Sequence, residues 1–278
     1  PRAEQAEAYA GPTPRTGSYL DRDARYVFLS GPDYLGDLFA AIYRAYGFDA
    51  DVAPPMSHEN LDRGRRHCSG KECIAYQLLW GCFREYLETN PTDRPIRLMQ
   101  IAGQMCRGGM FVTKDRLAVA DLGLADRVTV QPIRIAGGVG MTTRIWVGLT
   151  ALDILHQLYR YHLPLDGGRA EALYRRHSEA LLAIFEEPAR VAPLDSIQVA
   201  RQWRVTRREL AAAAAGFAAL GDDDTLRTVF VSGDALTKGN DFANAGLFQY
   251  LAGQGVRAIP EPLGDFLEYL AIDHPHLL

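Results

Sequence analysis

The sequence predicts an α/β fold built on parallel sheets, and three observations carry the prediction. The chain has 278 residues of which 47% are apolar, enough for one large α/β domain or two smaller ones. Short apolar runs alternate with stretches of helical periodicity along most of its length. The runs are closed by Gly or Pro, residues that stop a ladder or a helix. Alternation of this kind implies parallel strands with helices on both faces of the sheet.

The elements follow in order. RYVFLSGP (25–32) is a strand ending in Gly-Pro, and LGDLFAAIYRAYG (35–47) carries helical periodicity and a terminal Gly. FDADVAPP is a second strand closed by two prolines, which completes a first βαβ unit. A helix is expected from about Glu72 to Glu88, then a strand over 95–103, a helix near 115–123 and a strand over 127–135. A long helical region spans roughly Thr142 to Glu187, and another helix runs from about Ser196 to Leu220. Its AAAAAGFAAL run has high helix propensity and small side chains, and reads as a buried spacer. RTVFVSGD, DFANAGLFQYLAGQG and VRAIPEP make a last β-α-β unit, and FLEYLAI closes the chain with a helix. The expected architecture is Rossmann/flavodoxin-like parallel sheets plus a helical connecting region.

Four segments follow from this pattern: an extended or linker segment over 1–24, an α/β domain over 25–141, a helical region over 142–222 and a C-terminal βαβ unit over 223–278. The first stretch is rich in Ala, Pro and Gly and begins at Pro1, which leads us to expect the downstream part of a longer polypeptide or a processed chain.

Composition excludes several classes. A net charge of −4 offers no surface built to neutralise phosphate backbones, so nucleic-acid binding is not expected. No apolar run approaches the roughly 18 residues of a membrane span, and no secretory signal is present. A cytoplasmic location is therefore expected. No G-x-S-x-G elbow and no H-x3-H pair appear, which removes hydrolase chemistry. GGVGMTT (137–143) lacks the Lys of a P-loop, so ATP hydrolysis by this chain is not expected.

The chemistry-bearing residues are four cysteines. HCSGKECIAYQLLWGC carries Cys68, Cys73 and Cys82, and Cys106 follows in GQMCRGGMF. Four are too few for a disulfide scaffold, and clustered thiols in a reducing compartment are more often metal ligands or redox groups. Structural zinc, with His67 beside Cys68, is one reading, but the paired spacing of zinc ribbons does not recur. A cubane iron–sulfur cluster is another, since three thiolates from distant loops can hold one. Gly70, Gly103 and Gly108 would let backbone amides approach the cluster sulfides, and Lys71 and Arg107 would add positive charge. Ordinary buried thiols are the third reading, strongest for Cys82 in mid-helix. Cys73 stands at a helix start, where the dipole favours a thiolate. In SGDALTKGNDFAN, Asp234, Asn240, Asp241 and Asn244 either bind a ligand or cap a helix beginning near Phe242, and capping is preferred.

Four segments carry a family resemblance. GRRHCSGKECIAYQLLWGCFREYL resembles a G-K-E-C-x-P motif followed by a helix, and IAGQMCRGGMF resembles G-P-C-R-F-G-x-Y. RIWVGLTALDILHQLYRYHLPLDGGRAEALYRRH and FVSGDALTKGNDFANAGLFQYLAGQGVRAIPEPLGDFLEYL complete the order. Together they resemble the 2-hydroxyacyl-CoA dehydratase D-component and acyl-CoA dehydratase activase-related family, whose relatives include benzoyl-CoA reductase subunits and double-cubane cluster proteins. Ile74-Ala75 and Met105 stand where the family's motifs carry proline.

The resemblance implies a [4Fe–4S] cluster, held by one chain or shared between subunits, with Cys73 and Cys106 as ligands. Cys68 is the third choice, because a loop thiol turns more freely than one on a helix. It also implies an ATP-hydrolysing activase partner that delivers low-potential electrons for reductive or dehydratase chemistry, within a homo- or hetero-oligomer. The alternative is a non-catalytic subunit or scaffold domain that docks the ATPase and shares a cluster at an interface.

Overall fold

The computed structural model describes residues 20–31, 34–100, 107–133, 138–189, 196–265 and 268. The chain divides into two compact units, one drawn from residues 1–29 and 47–136 and the other from 30–46 and 137–278.

The first unit is built on a four-stranded parallel sheet: β1 (Arg25–Phe28), β2 (Asp49–Val52), β3 (Ile96–Gln100) and β4 (Val128–Pro132), in the order β2-β1-β3-β4. The architecture is α/β with the Rossmann/flavodoxin-like order that alternation predicts. All five residues of β3 are buried, and Tyr26, Val27 and Phe28 of the central β1 are fully so. A parallel strand covered on both faces buries every position, which in β3 includes Arg97 and Gln100 as well as its apolar residues. Pro132 ends β4, where a missing N–H costs least. Beyond β1 the chain goes to β2 on one side and later to β3 on the other, so the topological switch point lies between β1 and β3.

A helix not anticipated from periodicity, α2 (His58–Arg65), starts at Ser57, whose hydroxyl accepts from the Asn60 amide at 3.2 Å. Its mostly polar face conceals it; only Asn60 and Gly64 are buried. These two positions explain its packing on α3 (Ile74–Thr89). A Cβ on Gly64 would lie 1.8 Å from the Gln77 carbonyl oxygen, and one on Gly81 would lie 1.8 Å from that of Asn60. The two backbones touch through reciprocal glycines, which no larger residue permits. Beyond β3, a 3-10 turn (Arg107–Met110) leads directly into α4 (Phe111–Asp121), which packs on β4.

The second unit gathers α1 (Leu35–Ala45), α5 (Gly138–His162), α6 (Gly167–Glu186) and α7 (Ser196–Ala218) into a packed helical group. The helical region expected over roughly 142–187 is made of two helices, because Pro164 follows α5 and the Asp166 carboxylate caps α6, accepting from the Arg169 amide at 3.0 Å. The Ala-rich end of α7 is buried only at Ala213 and Phe217, whereas Ala211, Ala212, Ala214 and Ala215 are exposed. It is one wall of the group rather than a buried spacer. A two-stranded parallel sheet, β5 (Arg227–Val231) and β6 (Val256–Pro260), is linked through α8 (Ala235–Lys238) and α9 (Leu247–Gly253), and β6 packs against α5 and α9. The closing FLEYLAI helix lies almost wholly outside the described residues.

Candidate functional site

The sequence singled out the loop that joins α2 to α3. His67 and Cys68 turn back on the end of α2, their amides donating to Gly64 and Arg65 carbonyls at 3.2 and 3.0 Å. The Cys68 thiol donates to the Gly64 carbonyl oxygen at 3.2 Å. Gly70 takes φ of +86° in open space, a conformation that a side chain resists. Cys73 is the N-cap residue of α3, in extended geometry. Its side chain makes no capping bond, so the thiol is left for other work.

Glu72 organises this loop. Its carboxylate accepts from the Ser69 amide at 2.9 Å, the Ser69 hydroxyl at 3.1 Å and the Lys71 amide at 3.2 Å, and it pairs with Lys114 at the start of α4. The Lys114 bond, more than any other influence, lowers its pKa to about 2. Lys114 also lies 5.8 Å from the centre of the Tyr76 ring.

Behind the loop, at the carboxyl end of β3, is a buried acid. Asp115 is fully buried and its Oδ2 accepts from Gln100 Nε2, the last residue of that strand. Burial raises the carboxyl to about 7, against the opposing pull of Gln100, Tyr76 and Lys114. The Tyr76 hydroxyl and Asp115 Oδ1 are both buried without a partner in good hydrogen-bonding geometry.

The electrostatics keep Cys68 a thiol. Burial first, then the charge of Glu72, push it up, and Lys114 only partly offsets them. Binding a metal there must displace a proton. His67 is turned away from such a role: its Nε2 accepts from the Arg84 guanidinium at 2.7 Å, and burial followed by the Arg84 charge lowers its pKa. An Arg can only donate, so Nε2 is the acceptor nitrogen and is engaged by Arg84. Cys82 is fully buried on α3, which is the packing role that its mid-helix position suggests.

Of the residues singled out from the sequence, the structure brings Cys68, Gly70, Lys71 and Cys73 into one loop. Gly70 and Lys71 are exposed, whereas both thiols are half-buried and free. Arg107 opens the 3-10 turn and Gly108 is buried within it. Gly103 and Cys106 lie outside the described residues. Among the described residues no group of three or more His, Cys, Asp and Glu converges as a metal site.

Glu72, Lys114, Asp115, Tyr76 and Gln100 were missed. The first has a signal, an acid one residue before a helix-capping thiol; Tyr76 lies within the motif as an ordinary apolar helix position, and Gln100, Lys114 and Asp115 lie outside it, Lys114 42 residues from Glu72, where nothing local marks them. In SGDALTKGNDFAN, Asp234 caps α8, and the Asn240 and Asn244 carboxamide oxygens accept from the Ala243 and Leu247 amides, each at 3.0 Å. Asp241 pairs with Arg160 at 2.8 Å. Of these four residues only Asp234 caps a helix, α8, and the helix expected near Phe242 begins at Leu247 behind the N-cap Gly246, so the Asn240 and Asn244 bonds hold the turn before it.

No helix among the described residues is long and apolar enough to cross a membrane. Comparisons with known proteins found no match: no family model, no characterised protein and no solved structure is similar to this chain.

Proposed function

We propose that the chain is an iron–sulfur protein of the dehydratase-related type, taking low-potential electrons from an ATP-hydrolysing partner. The observation that carries the reading is the pair of free, half-buried thiols on one loop, Cys68 and Cys73, beside the switch-point strand β3, while Cys82 is withdrawn into the core. Their donor chemistry fits two ligands of such a cluster, and Cys106 is the third by the motif resemblance. A bound cluster supplies one-electron transfer at low potential and, with an open iron, a site for a substrate oxygen. The chain's own residues hold the loop: Glu72 ties the Ser69 and Lys71 amides, and Lys114 neutralises Glu72 next to the thiols.

The second reading, a non-catalytic subunit that shares a cluster at an interface, draws on the same count. Two thiols in the described loop are fewer than one cubane needs.

Anaerobic purification, followed by assay of iron and acid-labile sulfide per chain, tests both. Iron near four per chain, abolished by Cys73→Ala, fits the first reading, and about half that per chain fits a shared cluster. Iron-free protein after anaerobic reconstitution would overturn both.

A further inference from the structure

Cys68 and Cys73 stand at the two ends of one short turn. The Glu72 carboxylate draws that turn shut: it accepts from the Ser69 amide at 2.9 Å, from the Ser69 hydroxyl at 3.1 Å and from the Lys71 amide at 3.2 Å. Ser69 and Glu72, the chain neighbours of the two cysteines, are therefore bonded directly to one another. Gly70 makes the reversal possible, with φ of +86° and nothing within 4 Å of where a Cβ would stand.

The crossing of α2 and α3 adds a second constraint. The Cys68 sulfur lies 3.2 Å from the Gly64 carbonyl oxygen, and Gly64 touches the backbone of Gln77, one turn beyond Cys73. The Gln77 amide donates to the Cys73 carbonyl oxygen at 3.3 Å, and its carboxamide donates to the Glu72 carbonyl oxygen at 3.0 Å. Both cysteines are thus held at the same end of the helix pair, half-buried, on a turn whose Ser69, Gly70 and Lys71 are exposed. Their sulfurs differ in one respect: that of Cys68 is engaged by Gly64, and that of Cys73 makes no capping bond. Cys82 is fully buried in α3 and takes no part.

We infer that Cys68 and Cys73 are a reversible dithiol–disulfide pair, oxidised by a small-molecule disulfide of the glutathione type whenever the thiols hold no metal. The Cys73 sulfur attacks the oxidant: its S–S bond breaks, a mixed disulfide forms on Cys73, and one glutathione leaves as a thiol. The Cys68 sulfur then turns from Gly64 and displaces the second glutathione, which closes the bond between the two cysteines. Two electrons pass from the cysteines to the oxidant, and their two protons end on two molecules of glutathione. A turn already folded back by Glu72 has little chain entropy left to lose, which favours the internal bridge over the mixed disulfide. The same thiols are cluster ligands in the reading above, so bridge and metal exclude each other and reduction must precede loading. The bridge itself needs no cluster and stands if that reading fails.

The test uses the full chain, stripped of metal by a chelator, equilibrated with oxidised glutathione and quenched with acid. Trypsin cleaves after Lys71, between the two cysteines, so the bridge joins HCSGK (67–71) to ECIAYQLLWGCFR (72–84), and neither peptide retains glutathione. The corresponding peptides are joined in Cys82→Ala as well, which assigns the bond to Cys73, and dithiothreitol separates them. In Cys68→Ser the reaction stops with glutathione held on Cys73, while circular dichroism is unchanged. Iron and acid-labile sulfide are assayed on separate, anaerobic protein, so a failed cluster and a failed bridge give different results. Four free thiols after oxidation, stable glutathione on both cysteines, or a bond from HCSGK to the peptide carrying Cys106 would each overturn the inference.

Discussion

Replacing Asp115 by Asn tests whether a buried acid makes this protein less stable as the pH rises. In the folded chain the carboxyl titrates near 7, against 3.8 in the unfolded chain. The folded state therefore keeps a proton between about pH 4 and 7 that the unfolded state has lost, and stability falls as pH rises through that window. The full difference is about three units, which at 1.36 kcal/mol per unit is about 4 kcal/mol above pH 7. Between about pH 5 and 8 the linkage relation assigns about 2–3 kcal/mol of that loss to this one group. Asparagine keeps the contact, since its oxygen accepts from Gln100 Nε2 and its amide group faces the Tyr76 hydroxyl, but it does not ionise. Urea unfolding of both proteins at the two pH values isolates the effect, because every other titrating group cancels in the difference. The variant gains on the wild type by about 2–3 kcal/mol from pH 5 to pH 8. Parallel pH profiles for the two proteins would refute the reasoning.

Three further outcomes follow from particular contacts. Gly81→Ala drives a methyl group into the Asn60 carbonyl oxygen at the α2–α3 crossing, so it costs about 3 kcal/mol or more in chemical denaturation, whereas Gly253→Ala, with nothing within 4 Å, does not. Cys82→Ala removes a fully buried sulfur and lowers stability by about 1 kcal/mol with the iron content unchanged, and Cys73→Ala does the reverse. Arg160→Met takes away the buried guanidinium that donates to His156 Nε2 at 3.0 Å and to Asp241 at 2.8 Å and lies 4.4 Å from the Phe248 ring. The loss of about 1–2 kcal/mol, limited because Asp241 is partly exposed and stays hydrated, is read as a lower urea midpoint at constant m-value.

Where the apolar pattern is strong, the sequence is a sufficient guide. β1, α1, β2, α3, β3 and β4 fall close to where periodicity puts them, since each must bury a face and the burial writes its period into the chain. α2 escaped because it packs through two glycines and an asparagine, and contact through backbone leaves no apolar stripe. Pro164 and Asp166 carry the signals that divide α5 from α6, a helix breaker followed by a cap, inside what reads as one helical region.

The candidate site shows the same division. Cys68 and Cys73 on a loop, and Cys82 in the core, are legible from the spacing of one sixteen-residue stretch, because a helix start and a helix middle differ in sequence context. The surroundings of the thiols are not legible there. Lys114 reaches Glu72 from 42 residues away, and Asp115 meets Gln100 only because α4 returns to the carboxyl end of β3.

By itself, then, the amino-acid sequence determined the α/β class, the order of most strands and helices and which cysteine belongs to the core. These are local properties, set by periodicity and by the bonds that a residue makes to its own neighbours in the chain. Only the tertiary structure decided that α1 groups with the second unit, that Asp115 holds its proton near neutral pH and that β5 pairs with β6 in a separate sheet. Each of these depends on how much water and which charges surround a group once distant segments meet, and desolvation has no period in the sequence.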